Sequence, residues 1–137
     1  MKAITLTQPW ATLVALGAKR IETRSWRVDY QGPLAIHAAK SYPKWARELC
    51  YSEPFWSALR PMGVFIDPGM YLGVVVATCE LVNVVNTQCI WPDAREHAFG
   101  DYTPGRYAWM LGSVQPLTVP VPAKGSLGLW EWEQVTT

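Results

Sequence analysis

The stretch Gly17-Ala18-Lys19-Arg20-Ile21-Glu22-Thr23-Arg24-Ser25-Trp26 opens with a glycine that can end a helix and continues as a strand-like run. Side chains alternate between the two faces of a strand, so Glu22, Arg24 and Trp26 are expected to share one face. That row would offer a carboxylate, a guanidinium suited to bidentate phosphate contact and a ring suited to base stacking. The alternative is a solvated strand face, on which a Glu–Arg pair contributes less than about 1 kcal/mol.

The segments on either side predict several strands with short helices between them. A strand at residues 2–6 should lead into a helix that is capped by Thr7 and carries Pro9 in its first turn. Two short helices at residues 43–50 and 52–59 should turn four apolar side chains inward: Trp45, Leu49, Phe55 and Trp56. The other strands are expected at residues 20–26, 34–38, 70–85, 106–111, 117–121 and 125–132. Because no regular βα alternation occurs, the pattern predicts a mixed or mainly antiparallel barrel.

Length and composition are typical of one folded domain spanning residues 1–137, since half of the residues are hydrophobic and only 17% are charged. The polar N-terminus and the lack of an apolar run of 18 residues predict neither a signal peptide nor a membrane span. The three cysteines lack metal-ligand spacing, so we expect no metal site, no disulfide framework and a cytoplasmic location. No phosphate-binding loop, dinucleotide fingerprint or HExxH motif occurs, and no cofactor is expected.

The charges are distributed unevenly along the chain, although their sum is only +1. Residues 1–47 carry eight basic and two acidic side chains, whereas residues 48–137 carry four basic and nine acidic ones. Such asymmetry favours a basic surface that faces an anion, unless folding mixes the two halves.

Outside the opening stretch, polar, basic and aromatic residues predict six further ligand contacts: Gln8, Trp10, His37, Lys40, Arg106 and Trp109. Some of them have structural alternatives. His37 could be a hydrogen-bonded core residue, Arg106 could pair with Asp101 or Glu96, and Trp109 could fill the core. Glu80 lies in an apolar strand and is expected to need a cationic partner such as Lys19 or Arg24.

Several segments together resemble the ASCH (activating signal cointegrator homology) family: Gln8-Pro9-Trp10-Ala11, Gly17-x-Lys19-x-x-Glu22-x-Arg24-Ser25-Trp26, Gly32-Pro33-Leu34-Ala35-Ile36-His37-Ala38-Ala39-Lys40, and the later residues 99–109 and 125–130. The resemblance covers almost the whole chain. It implies an α+β fold, namely a PUA-like mixed β-barrel with flanking short helices, and a basic cleft lined by the GxKxxExR motif. It also implies RNA, another single-stranded nucleic acid or a nucleotide-like ligand as the partner.

The resemblance leaves an enzymatic alternative open, because some relatives are a ribonuclease or an amidohydrolase that deacetylates acetylcytidine with a Lys, Thr and Glu set. Lys19 falls on the family lysine, and Glu96 is a candidate for its glutamate. Glu22 occupies the threonine position, and Thr23 is displaced by one residue, which would turn its hydroxyl to the opposite face. Ligand binding is therefore favoured over hydrolysis, in which Lys19, Glu22 and Glu96 would be the catalytic residues. A third hypothesis is a protein-interaction module that uses the tryptophan-rich surface.

Overall fold

Six strands form a single sheet in the computed structural model, which describes residues 1–65 and 70–134. In chain order the strands are β1 (Lys2–Leu6), β2 (Ile21–Arg24), β3 (Gly32–Ala38), β4 (Val74–Asn86), β5 (Tyr107–Pro122) and β6 (Trp130–Glu131). The two strands expected at residues 106–111 and 117–121 are one continuous strand, β5. The order of the six strands across the sheet is β2-β5-β4-β3-β1-β6. β1 and β3 are parallel, and the other neighbouring pairs are antiparallel.

The helices are short and lie between the strands. They are α1 (Trp10–Ala15), α2 (Lys44–Leu49), α3 (Phe55–Leu59) and α4 (Ala94–Ala98), with 3-10 turns at Arg60–Phe65 and Thr87–Cys89. Within residues 1–65 and 70–134, none of the helices is long and apolar enough to cross a bilayer.

The predicted mixed β-barrel is corrected by the structure: across the described residues the sheet is open, with β2 at one edge and β6 at the other. The reason is that the edge strands are too short to meet. β2 has four residues and pairs with β5, while β6 has two and pairs with β1 only at Lys2 and Ala3. The outer side of Thr5 therefore stays free for a side-chain contact with Arg24.

Alternation along the strands supplies two apolar faces. Ile4, Leu34 and Ile36 belong to the main core, together with Trp109 and the buried side of α1. The side chains at intervening positions point the opposite way and build a smaller cluster: Ala3, Ala35, Val75 and Trp132. A third cluster packs α1 against α3 and the residue after α4 through Leu13, Phe55 and Phe99.

Three local predictions were wrong. The α1 helix is supported not by Thr7 but by Gln8, whose Oε1 accepts a hydrogen bond from the Thr12 amide in the first turn. Trp45 is 59% exposed and Trp56 is also exposed, so only part of the predicted inward set faces the core. Glu80 is exposed and therefore needs no buried cation.

Candidate nucleic-acid interface

Arg24 is held at the open edge of the sheet by two neighbours. β2 alternates as predicted, so Ile21 and Thr23 are buried while Glu22 and Arg24 are half-buried. The guanidinium donates to Glu22 Oε2 from Nε at 2.9 Å and from Nη2 at 2.8 Å, and Nη2 also donates to the Thr5 carbonyl oxygen at 3.0 Å. The predicted row is shorter than expected, because β2 ends at Arg24 and does not reach Trp26.

A cavity of about 1010 Å³ opens on one side of Arg24. Three cationic side chains line it, those of Arg24, Lys40 and Lys124, and no carboxylate is present among its described lining residues. Lys40 and Lys124 are exposed. Its walls also include apolar side chains such as Leu72 and Leu127. The cavity therefore combines an uncompensated positive charge with apolar surface.

A second cavity, of about 550 Å³, is also lined by Arg24, and it shares Thr5 with the first. Its acidic and basic side chains are paired: Glu22 with Arg24, and Asp101 with Arg106, whose Nε lies 3.5 Å from Asp101 Oδ2. Two indoles, those of Trp10 and Trp45, line this cavity, and their ring centroids are 5.8 Å apart. This cavity is electrically balanced and aromatic.

Lys19 does not line either cavity, although the motif predicted it in the cleft. Its side chain is fully buried, and Nζ donates to the carbonyl oxygens of Ile21 at 2.5 Å and Phe99 at 3.1 Å, with Glu22 Oε1 at 3.5 Å. A buried ammonium needs such partners to offset its desolvation. Phe99 also accepts from Trp10 Nε1 at 2.9 Å. Lys19 thus positions Glu22 and the backbone beside Trp10.

Glu96 lies on α4 and is also buried outside both cavities. Its Oε1 accepts from the Arg20 amide at 2.7 Å, whereas Oε2 has no hydrogen-bond partner among the described residues. Burial raises the pKa of this carboxyl group, although the Arg20 amide and the charge of Lys19 oppose the shift. Burial, together with the nearby Glu96 charge, likewise raises the pKa of the Tyr102 hydroxyl.

His37 is buried at the wall of the larger cavity, and both of its ring nitrogens form hydrogen bonds. Nε2 lies 2.7 Å from the Ala123 carbonyl oxygen, which can only accept, so this nitrogen carries a proton. In the neutral ring Nδ1 then accepts from the Thr5 hydroxyl at 3.0 Å, and Thr5 Oγ1 accepts from Trp130 Nε1 at 3.1 Å. Gly125 packs against this network, since a Cβ there would lie 2.7 Å from both His37 Cε1 and Thr5 Oγ1. The network fixes the loop that carries Lys124.

Three predicted binding residues lie in the framework instead. Gln8 is fully buried, with Nε2 donating to the Tyr71 carbonyl oxygen at 2.8 Å and Oε1 used by α1. Trp109 is fully buried, and Trp26 packs edge-on against it with a centroid distance of 4.9 Å. None of the three lines either cavity, because the Gln8 amide forms hydrogen bonds inside the protein and the two indoles pack against each other.

Thr5, Trp45 and Lys124 also line the two cavities, and the sequence did not predict them there. Lys124 had a signal, since it is a basic residue in the turn-forming run Ala123-Lys124-Gly125-Ser126. The exposure of Trp45 had no such signal in the sequence, because its helix is flanked by other aromatic residues on both sides.

The protein is of the α+β class, with one open sheet, short helices between the strands and two cavities, one cationic and one aromatic, that share Arg24. The sequence model of the ASCH domain family matches residues 4–113, and the chain belongs to this family. It is 24% identical over 131 residues to activating signal cointegrator 1 from Mus musculus and from Homo sapiens. These alignments cover 93% of this chain but 22% of each relative, so the chain spans about a fifth of their length.

Solved structures with the same fold include the ASCH protein from Zymomonas mobilis and a mutant of it. The TM-scores are 0.58 and 0.59, with 16% and 15% sequence identity. Both comparisons cover 97% of this chain, and they cover 87% and 90% of the two structures. At this level of identity the likeness concerns the fold alone, and it confirms the α+β architecture of a mixed sheet with short helices.

Proposed function

We propose that this protein binds RNA, or another single-stranded nucleic acid, in the groove formed by the two cavities that adjoin at Arg24 and Thr5. The observation that carries the proposal is the charge of the larger cavity. Arg24, Lys40 and Lys124 line it, and its described lining residues include no carboxylate. Arg24 is paired with Glu22, but Lys40 and Lys124 have no counter-charge among the described residues, and such unpaired like charges favour an anionic ligand.

The contacts of the three cations suit them to phosphate. Arg24 is already oriented by Glu22 and Thr5, so its guanidinium is preorganised. Across the described residues Lys40 and Lys124 have no ion-pair partner, and their ammonium groups remain free to contact an anion. The indoles of Trp10 and Trp45 add the aromatic surface on which bases stack in single-strand binding sites.

The same geometry gives less support to a hydrolase. Lys19 and Glu96 lie outside both cavities, and the Nζ atom of Lys19 is occupied by two carbonyl oxygens. Glu22 reaches the smaller cavity, but its carboxylate is shared by Lys19 and Arg24. A general acid or base must lie within hydrogen-bond reach of the reacting group. Lys19 and Glu96 are buried away from both cavities, and the Glu22 carboxylate is held by two cations.

The proposal is tested by titrating the protein with a fluorescently labelled single-stranded RNA between about 50 and 200 mM salt. Each phosphate contact to a single strand adds about 0.7 to the slope of log affinity against log salt concentration. Lys40→Ala and Lys124→Ala should each weaken binding and reduce that slope by about this amount. Lys2→Ala is the matched control, because Lys2 pairs with Glu131 and lines neither cavity. Binding that is undetectable, or that is independent of salt and of both lysines, would refute the proposal.

A further inference from the structure

We infer that the groove accommodates a dinucleotide step, with one nucleotide in each cavity and Arg24 on the phosphate between them. This inference rests on the proposed function and specifies its ligand. Among the described residues, Thr5 and Arg24 line both cavities. Arg24 is the cationic one of the two, so a single charged group faces both compartments.

Each compartment is large enough for one nucleotide unit. The cavity volumes are about 550 Å³ and 1010 Å³, and pockets for small ligands usually measure about 300–1,000 Å³. The division of the groove by Arg24 therefore creates two sites of ligand size. Nε and Nη2 of the guanidinium are engaged by Glu22 and Thr5, so Nη1 is the group that would contact the phosphate of a chain crossing this boundary.

Each compartment also has its own surface for a base. In the smaller cavity the Trp10 and Trp45 rings are in contact at an interplanar angle of 48°, and Trp45 is 59% exposed. In the larger cavity Leu72 and Leu127 are exposed, and Leu127 has 98% of its surface accessible. Leu127 stands between Gly125 and Gly128 on the loop at the cavity wall. Two separate apolar surfaces on either side of one guanidinium match two bases joined by one phosphate.

The charges indicate which part of the ligand lies where. The smaller cavity is neutral, because Glu22 pairs with Arg24 and Asp101 pairs with Arg106. It therefore favours an uncharged base over a second phosphate, which the two carboxylates would repel. The larger cavity carries the additional charges of Lys40 and Lys124, which are available to the outer phosphate of the nucleotide bound there.

The test compares uridine monophosphate, a uridine dinucleotide with a terminal phosphate, and the corresponding trinucleotide at one low salt concentration. Stacking of a base contributes about 1–3 kcal/mol, so the dinucleotide should bind roughly five- to 150-fold more tightly than the mononucleotide. The third nucleotide should change the affinity by less than about three-fold, because it lies outside both cavities.

Variants assign the two bases to their compartments. Trp45→Ala should weaken dinucleotide binding and leave mononucleotide binding unchanged, since the single phosphate directs a mononucleotide to the larger cavity. Leu127→Ala should weaken both. The matched control is Trp91→Ala, because Trp91 is 89% exposed and lines neither cavity. All three side chains are exposed, so the variants are expected to keep the fold.

The outcomes separate this inference from the proposed function. Equal affinity for the mononucleotide and the dinucleotide, or a Trp45→Ala effect no larger than that of Trp91→Ala, would overturn the two-nucleotide arrangement. Salt-dependent binding of longer RNA that is weakened by Lys124→Ala would in that case still support the proposed function. Failure of every RNA to bind would overturn both.

Discussion

The guanidinium of Arg24 donates to the carbonyl oxygen of Thr5 at 3.0 Å and so joins two strands that are not neighbours in the sheet. β2 carries Arg24 at the edge of the sheet, and β1 carries Thr5 beyond the short pairing with β6. A side chain thereby bridges the gap that a closed barrel would fill with backbone hydrogen bonds. The same side chain lines both cavities, so the bridge and the candidate site depend on one residue.

Arg24→Ala is expected to reduce both RNA binding and stability. The substitution removes the charge common to both cavities and leaves Glu22 and the Thr5 carbonyl oxygen without this donor. Loss of hydrogen bonds to a charged group corresponds to about 1.5–3 kcal/mol in the free energy of unfolding. Arg24→Lys keeps the charge but not the forked geometry, so its RNA affinity should be intermediate. Urea denaturation and RNA titration measure the two effects, and unchanged RNA affinity in Arg24→Ala would argue against the site.

Lys19→Met is expected to destabilise the fold strongly. The substitution leaves Glu22 and two carbonyl oxygens without the buried ammonium, and breaking a buried ion pair costs about 3–5 kcal/mol. Lys44→Met is the matched control, because the Lys44 side chain is 81% exposed and pairs with Glu48 at the surface. Its effect on the free energy of unfolding should stay within about 0.5 kcal/mol. A Lys19→Met protein as stable as the control would contradict the structural role of this lysine.

Glu96 should make stability depend on pH in the direction opposite to an ion-paired carboxylate. Burial raises its pKa in the folded protein above the ordinary value of 4.5, so above that pH the unfolded chain loses the proton more readily. The contribution of Glu96 to stability therefore decreases as pH rises from 4.5 through the folded pKa. Glu96→Gln removes this titration and keeps an oxygen for the Arg20 amide.

The stability difference between Glu96→Gln and the unmodified protein, measured by urea denaturation at several pH values, should thus move in favour of the variant as pH rises above 4.5. Comparing the two proteins at each pH cancels the titration of the other carboxyl groups. A difference that stays constant, or that moves in favour of the unmodified protein, would contradict a raised pKa.

Gly125→Ala is expected to displace the loop that carries Lys124. The added Cβ would lie 2.7 Å from His37 Cε1 and from Thr5 Oγ1, so the loop or the hydrogen-bonded ring must move. Overpacking of this kind typically costs about 1–3 kcal/mol. RNA titration should show weaker binding as well, whereas Ser52→Ala, at an exposed position that lines neither cavity, should have little effect. Unaltered affinity and stability in Gly125→Ala would mean that the loop adapts freely.

Local patterns predicted much of the fold and part of the site. Period-two alternation correctly placed Glu22 and Arg24 on one face, and the approximate positions of β1, β3 and β4 were also correct. Closure of the sheet was predicted wrongly, because it depends on strand length and on long-range contacts such as that between Arg24 and Thr5. Neither leaves a signal in a local window.

The fate of individual polar side chains was the hardest part to predict. Lys19 has the charge and the motif position expected of a site residue, yet its ammonium group donates to the carbonyl oxygens of Ile21 and Phe99 in the interior. Phe99 lies 80 residues away from it in the sequence, so nothing near Lys19 indicates this contact. Lys124 joins the site by the same kind of long-range packing, through the backbone of Ala123 and Gly125 against His37.

The most direct measurement is a map of backbone amide chemical shifts as a single-stranded RNA is added to the protein. Binding in the groove predicts that the largest changes fall on Thr5, Arg24, Lys40, Lys124 and the loop around Gly125, with smaller changes at Trp45. The exposed region around Trp91 should stay unchanged. Shifts confined to that region, or spread evenly over the surface without saturation, would contradict a nucleic-acid site centred on Arg24.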